Sequence, residues 1–93
     1  MKHITIDFSL CKHPIDLHNE LKEKLHLPEW YGNNLDALWD MITGFLETPS
    51  DITVVFKPKN QAASNLKEDV LNIISVFNEA AEEYGEIIFN CEL

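Results

Sequence analysis

The stretch that best indicates the fold of this chain covers residues 27–40 and reads LPEWYGNNLDALWD. Pro28 disfavours helical geometry at Leu27, so a helix before this stretch is expected to end near His26. The glycine and the two asparagines that follow the aromatic pair Trp30-Tyr31 are typical of a loop. The first half of the stretch therefore predicts a short aromatic loop after a helix.

The second half of the stretch predicts another helix. Asn33 suits the N-cap position, and Asp36 then falls at the third helical position, which gives a capping-box-like start. This helix is predicted to run to about Phe45 or Leu46, with Gly44 weakening its last turn.

A helical wheel at about 100° per residue divides this helix into two arcs. The apolar arc is predicted to face the core, and it contains Leu35, Leu38, Ile42, Phe45 and Leu46. The opposite arc is predicted to face solvent, and it contains Asp36, Trp39, Asp40 and Thr43. A tryptophan between two uncancelled acids is typical of a binding surface, because Trp and Tyr dominate interface energetics. The alternative is a surface tryptophan packed on the neighbouring loop among ordinary solubilising charges.

The flanking segments predict the remaining elements. A strand is expected at residues 2–8, where apolar and polar side chains alternate, and a helix from Pro14, where leucines repeat every fourth residue. Residues 52–56 predict a buried, β-branched strand. The Thr48–Pro49 peptide before it is a candidate for the cis isomer.

The last part of the chain predicts a long helix and a closing strand. The helix is expected from about Leu66 to Tyr84 after an irregular or helical lead-in, with Gly85 as its stop and residues 86–91 as the strand. The apolar stripe of the helix is predicted to contain Leu66, Val70, Ile73, Ile74, Phe77, Ala80, Ala81 and Tyr84.

The order β-α-α-β-α-β predicts an α/β fold with a small three-stranded parallel sheet, since strands joined by helical crossovers run parallel. With so few strands, we expect the helices to pack mainly on one face. The length of 93 residues fits one domain, residues 1–93, and there is no internal repeat, linker or low-complexity segment.

The charge balance narrows the class of partner. Sixteen acids and seven bases give a formal net charge of −9, which repels nucleic acid and anionic membranes and attracts basic partners. No apolar run approaches the ~20 residues of a membrane span. Apolar and polar side chains alternate at the N-terminus, which also contains an acid, so this segment is predicted to be a strand and not a signal peptide. We therefore expect a cytoplasmic protein.

The residues that could support catalysis or metal binding are few. Cys11, His13 and His18 lie close in sequence, but their spacing matches no zinc pattern, and no phosphate-binding glycine loop or nucleophile motif occurs. We therefore predict no enzyme activity, no cofactor and no metal, with His18 as a partly buried structural histidine. Cys11 and Cys91 are expected to be semi-buried. The sequence does not decide whether they form a disulfide, although cysteines in the cytosol usually stay reduced.

Residues 27–40, followed by Thr43-Gly44-Phe45, closely resemble the central motif of the barstar family, intracellular inhibitors of barnase-type ribonucleases. Weaker similarity covers residues 16–18 and 76–80, and the order of elements extends it over essentially the whole chain. The resemblance implies a barstar-like fold. The chain departs from the family pattern at four positions: Trp30 replaces a tyrosine, Phe45 a tryptophan, Met41 a cysteine and Asn33 an acid.

The resemblance also implies a mode of binding. Asp40 would enter the phosphate-binding pocket of the ribonuclease and mimic an RNA phosphate, while Asp36 and Glu79 would pair with basic side chains. Trp30 would pack on a catalytic histidine. The other expected partner-binding residues are Tyr31, Gly32, Asn34, Trp39, Thr43, Gly44 and Phe45.

The partner implied is a basic ribonuclease of the barnase type in a one-to-one complex, without direct binding to nucleic acid or membranes. The alternative is an acidic interaction module of the same fold that binds another basic protein. A homodimer through the exposed aromatic side chains is left open by the sequence.

Overall fold

The computed structural model describes residues 2–46 and 49–93. Within these residues the elements follow the predicted order, with a short helix as the lead-in to the long one. They are β1 (Lys2–Asp7), α1 (Pro14–Lys24), α2 (Leu35–Gly44), β2 (Ser50–Val55), α3 (Gln61–Ser64), α4 (Lys67–Glu83) and β3 (Ile87–Glu92).

The three strands form one parallel sheet in the order β1-β2-β3. Ile4 pairs with Ile52, and Ile52 pairs with Phe89, so one row of apolar side chains crosses all three strands. The predicted α/β fold with a three-stranded parallel sheet is confirmed.

The two faces of the sheet differ in what covers them. The inward face packs under the helices, with α1 against β1 and α4 against β3, and α2 packs against α4. The strands accordingly bury alternate side chains, such as Ile6 and Val54. The side chains on the other face, called the open face here, are His3, Thr5, Asp7, Asp51, Thr53, Val55, Ile88, Asn90 and Glu92.

The core lies between the inward face of the sheet and the helices. The stripe of α4 is buried from Leu66 to Ala80, and Phe77 stacks on Phe89 of β3 with ring centroids 4.9 Å apart and the ring planes 1° apart. In α1, Leu17 and Leu21 are buried, and Leu25 is buried just after the helix ends. At these positions the periodic patterns predicted the core correctly, because each element buries a single face.

Three residues that were predicted to lie in the core are exposed: Leu35, Phe45 and Tyr84. Leu35 and Phe45 of the apolar arc are 38% and 48% exposed, and Met41 of the same helix is buried instead. Leu35 is the first residue of α2 and Phe45 lies after its last one, so only the middle of the apolar arc is covered. Tyr84 is exposed because α4 ends at Glu83 and the extended backbone of Tyr84 takes its side chain off the stripe.

Three further expectations concern a peptide bond, the two cysteines and membrane-spanning segments. The Thr48–Pro49 peptide lies outside the described residues. Cys11 is half-buried as expected, whereas Cys91 is exposed, because it lies near the end of the edge strand β3; both thiols are free. Among the described residues, the helices are too short or too polar to cross a lipid bilayer.

Candidate functional site

The start of α2 is fixed by the two neighbouring asparagines. Asn34 is the N-cap, and its side-chain oxygen accepts a hydrogen bond of 2.8 Å from the backbone N–H of Ala37. The predicted cap at Asn33 is wrong by one residue, because Asn33 adopts a left-handed backbone with φ of 52°, which asparagine tolerates. Asp36 then lies in the first turn, where a negative charge is favoured by the helix dipole.

Gly32 brings the loop close to this first turn. The side-chain amide of Asn34 donates to the carbonyl of Gly32 at 3.2 Å. A Cβ atom at Gly32 would lie 3.3 Å from the Cβ of Ala37, tighter than ordinary contact. Gly32 and Asn34, both predicted to bind the partner, are exposed and hold the loop against α2.

The outer side of α2, called the acidic face here, consists of Asp36, Trp39, Asp40 and Thr43. Asp36 and Asp40 are exposed and one helical turn apart, about 5–6 Å between Cβ atoms. Trp39 is not simply turned to solvent as predicted: it is half-buried and packs against the core. The Thr43 hydroxyl donates to the Trp39 carbonyl at 2.8 Å. The acidic face therefore combines two exposed carboxylates with a half-buried indole that is anchored in the core.

The acidic face is not neutralised within the described part of the chain. The ion pairs found there are Lys22–Glu29, Lys24–Glu20 and Lys57–Glu92, and the His3 ring lies 3.2 Å from the Asp51 carboxylate. They leave Asp36 and Asp40 without a cationic partner among those residues. A basic partner would therefore meet carboxylates that need not break an existing pair.

Two exposed aromatic rings meet at the C-terminal end of α2. Trp30 of the loop is 70% exposed, and Phe45 follows the last residue of α2. Their ring centroids are 6.5 Å apart and the rings meet edge to face at 82°. This aromatic pair, Trp30 and Phe45, joins the loop to the C-terminal end of α2 in one apolar patch.

Tyr31, predicted to contact the partner, has its side chain in the core. It is 4% exposed, and its hydroxyl lies 2.8 Å from Nδ1 of His18 on α1. Burial raises the pKa of Tyr31 to about 12, so the hydroxyl keeps its proton at physiological pH. The prediction of His18 as a partly buried structural histidine is confirmed.

A second link joins the loop to α1, and sequence reasoning missed it. The Lys22 ammonium donates to the Glu29 carboxylate at 2.9 Å. Lys22 follows His18 by one turn of α1, so both side chains face the loop. That i, i+4 spacing was the signal available in the sequence.

The last two predicted contact residues lie outside the acidic face. Glu79 is exposed on α4, the helix against which α2 packs, and Gly44 is the exposed last residue of α2. The described contacts do not join Glu79 to the acidic face, and its role stays a prediction.

The group Cys11, His13 and His18 does not converge on a reactive centre. Burial, with the nearby carboxylates of Asp16 and Glu20, raises the pKa of Cys11 to about 11, which disfavours the nucleophilic thiolate. His13 is exposed, and His18 is bonded to Tyr31. In the described parts of the chain, no three histidine, cysteine or carboxylate side chains are grouped so that they could hold a metal ion.

Two comparisons with known proteins identify the family to which the chain is similar. The sequence model of a family described as "Barstar (barnase inhibitor)" matches residues 1–92. A protein of Bacillus subtilis (strain 168) with the name "Putative ribonuclease inhibitor YrdF" is 36% identical over 89 residues, which is 95% of this chain and 98% of that protein. The similarity predicted from residues 27–40 thus extends over nearly the full length.

Proposed function

This chain belongs to the barstar family, and we propose that it inhibits a ribonuclease of the barnase type by covering the enzyme's active site with the acidic face and the aromatic pair. The observation that supports this most is the pairing state of Asp36 and Asp40. They are exposed carboxylates without cationic partners among the described residues, on a helix whose C-terminal end carries the contact between two exposed aromatic rings.

The chemistry of the target explains why carboxylates are suited to this task. A ribonuclease binds a phosphodiester backbone, so its active site presents cationic side chains. Covering those cations with an apolar surface would leave buried, unpaired charge, which is strongly unfavourable. Asp40 takes the place of an RNA phosphate in that pocket, and Asp36 pairs with another basic side chain, as does Glu79 from α4.

The aromatic pair supplies apolar area beside the carboxylates. Trp30 packs on a catalytic histidine of the enzyme, and Phe45 extends the same patch. The exposed edge of Trp39, with Thr43 and Gly44, lines the rest of the contact. Buried Trp side chains at the centre of an interface are typical of residues whose truncation costs about 2 kcal/mol or more.

The supports of the acidic face reduce the entropy lost on binding. The Asn34 cap fixes the start of α2, and the Lys22–Glu29 ion pair and the buried Tyr31 fix the preceding loop. A surface held in one conformation before the encounter orders fewer side chains during it.

Charge also favours the encounter. The formal net charge of −9 attracts a basic enzyme over a distance of about a Debye length, so association is expected to slow as salt rises. Inhibition of this kind needs occupancy of the active site and no chemical step. The place of action is the cytoplasm, where a ribonuclease would otherwise meet the cell's own RNA.

The test is a titration of the protein into a ribonuclease assay with a fluorogenic RNA substrate, across a panel of barnase-type enzymes. At enzyme concentrations far above Kd, activity is expected to fall linearly to zero at one equivalent, and light scattering should give the mass of a one-to-one complex. Undiminished cleavage at stoichiometric excess for every enzyme would refute inhibition and favour an acidic module for another basic protein.

A further inference from the structure

His18 links α1 to the loop of the binding surface. Its Nδ1 atom lies 2.8 Å from the Tyr31 hydroxyl, and the two rings are inclined at 50° with centroids 5.8 Å apart. Tyr31 directly follows Trp30, the most exposed aromatic side chain of the proposed surface. The conformation of the Trp30 loop therefore depends on a contact made 13 residues earlier in the chain.

The surroundings of His18 come from three helices and the loop. A cavity of about 190 Å³ beside it is lined by Asn34 and Leu35 from the start of α2 and by residues of α4 that include Asp69. The titratable or charged groups that face His18 are Tyr31 from the loop and Asp69 from α4; the α2 lining residues are uncharged. On its own helix, Lys22 lies one turn away and is paired with Glu29 of the loop.

The direction of the hydrogen bond follows from which groups can donate. The Tyr31 hydroxyl retains its proton, and in the tautomer that carries hydrogen on Nε2, Nδ1 of His18 is an acceptor for it. Protonated imidazole would make Nδ1 a donor. The Tyr31 hydroxyl would then have to accept, and its own proton would lose this partner inside a nearly closed site.

We propose that His18 is a positioning residue that makes the binding surface sensitive to pH: neutral His18 holds Tyr31 in place, and protonation of His18 loosens the loop that carries Trp30. This inference rests on the proposed function for its effect on inhibition, whereas its effect on the loop belongs to the free protein.

The pH range follows from the burial of the imidazole. Burial lowers the pKa of His18, and the charge of Asp69 opposes this only in part. The unfolded chain therefore binds the proton more readily than the folded chain does. Stabilisation by neutral His18 is complete above the ordinary histidine pKa of about 6.5 and is lost as pH falls below it towards the lower pKa of the folded state.

The first test uses the free protein, so it does not depend on any ribonuclease. Hydrogen exchange at the Tyr31 amide, which donates to the Pro28 carbonyl at 3.0 Å, reports the closure of the loop. In the wild type, the protection factor of this amide is expected to fall about tenfold between pH 7.5 and pH 5, as the bond to neutral His18 is lost. In His18→Asn, whose amide oxygen can accept from Tyr31 but does not titrate, it should stay constant. His3→Asn, a change to an exposed histidine on the open face, should behave as the wild type.

Tyr31→Phe keeps the ring in the core and removes only the hydroxyl, so it tests the same bond if His18→Asn folds poorly. In this variant, the backbone amide at position 31 should be less protected than in the wild type at pH 7.5 and should not change further towards pH 5. If that amide kept the pH dependence of the wild type, the inference would be overturned. Equal pH dependence in the wild type and His18→Asn would overturn it as well.

The second test measures inhibition. The ratio of Kd for His18→Asn to Kd for the wild type is followed from pH 7.5 to pH 5.5, so titration of the enzyme's own groups cancels. The wild type is expected to lose about tenfold more affinity than His18→Asn, which a merely structural histidine would not cause. A constant ratio would refute the effect on binding. Failure of both proteins to bind any enzyme would refute the proposed function, while the exchange measurement would still decide the role of His18.

Discussion

The acidic face of α2 and the open face of the sheet both expose carboxylates, but the two faces differ in whether these carboxylates have partners within the protein. On the open face, Asp51 lies 3.2 Å from the His3 ring nitrogen and accepts from the Asn90 amide at 3.3 Å. On the acidic face, Asp36 and Asp40 have no such partner among the described residues. Negative charge by itself thus does not distinguish the two faces, whereas the lack of a cationic partner for Asp36 and Asp40 among the described residues does.

The exposed apolar side chains show the same difference. On the open face, Ile88 is 42% exposed beside polar neighbours, an isolated case of the kind that most soluble proteins show. At the C-terminal end of α2, Trp30 and Phe45 instead form one patch. A patch at the end of a helix that carries unpaired carboxylates offers both the apolar area and the charge that a basic partner needs.

The largest expected effect comes from removing one charge on each face. Asp40→Asn is expected to weaken inhibition by roughly 100-fold or more, because a cation of the enzyme would be left buried without its partner, which costs about 3 kcal/mol. Asp51→Asn removes the same charge from the open face and should change Kd by no more than about twofold. Inhibition constants from steady-state RNA cleavage provide the measurement.

Equal losses for Asp40→Asn and Asp51→Asn would break the comparison, since only total charge would then matter. Thermal unfolding of both variants is the control for folding. Both substitutions are close in size to the original side chain, so neither should lower the unfolding temperature by more than a few degrees.

A smaller effect is expected from the apolar side chains. Trp30→Ala should raise Kd about 30-fold, since a buried tryptophan at an interface contributes about 2 kcal/mol, and the stability of the free protein should hardly change. Ile88→Ala, its counterpart on the open face, should leave Kd unchanged. Surface plasmon resonance with the immobilised enzyme separates the rates, and the loss for Trp30→Ala is expected mainly in dissociation. A normal dissociation rate for Trp30→Ala would exclude the aromatic pair from the interface.

The fold and the acidic face could be predicted because their signals are periodic and local. Alternation in β1 and the repeat of leucines in α1 identify the buried side of each element without knowledge of its neighbours. The spacing of Asp36 and Asp40 likewise places both on the outer side of α2 by helix geometry alone.

The structure differs from the sequence pattern where a second element decides the position of a side chain. Tyr31 is a residue type common at interfaces, but His18 on α1 and the core around it bury its ring, and its contact with a partner stays a prediction. Leu35 and Phe45 fit the apolar arc, but the neighbouring elements do not cover the two ends of α2. Asn33 and Asn34 are equally good caps by type, and only the left-handed backbone at Asn33 distinguishes them.

The smallest expected effect tests that distinction and thereby the support of the acidic face. Asn34→Ala should lower the free energy of unfolding by about 1 kcal/mol, because the Ala37 N–H loses its cap. Asn33→Gly should change it by less than about 0.5 kcal/mol, because glycine adopts a positive φ without strain. Urea unfolding followed by circular dichroism measures both. The reverse ranking would place the cap at Asn33 after all.

The edge-to-face geometry of Trp30 and Phe45 has a consequence for which amino-acid substitutions this surface accepts. Each ring occupies space into which the other would otherwise turn, so a substitution at one position alters the rotamers open to the other. The two positions lie 15 residues apart in sequence and in different elements, yet they act as a single unit of shape. Under the proposed function, a shift to an enzyme with a differently shaped active-site rim therefore requires replacement of both residues. Transfer of either aromatic residue alone to a related protein should transfer only part of the preference for a target enzyme.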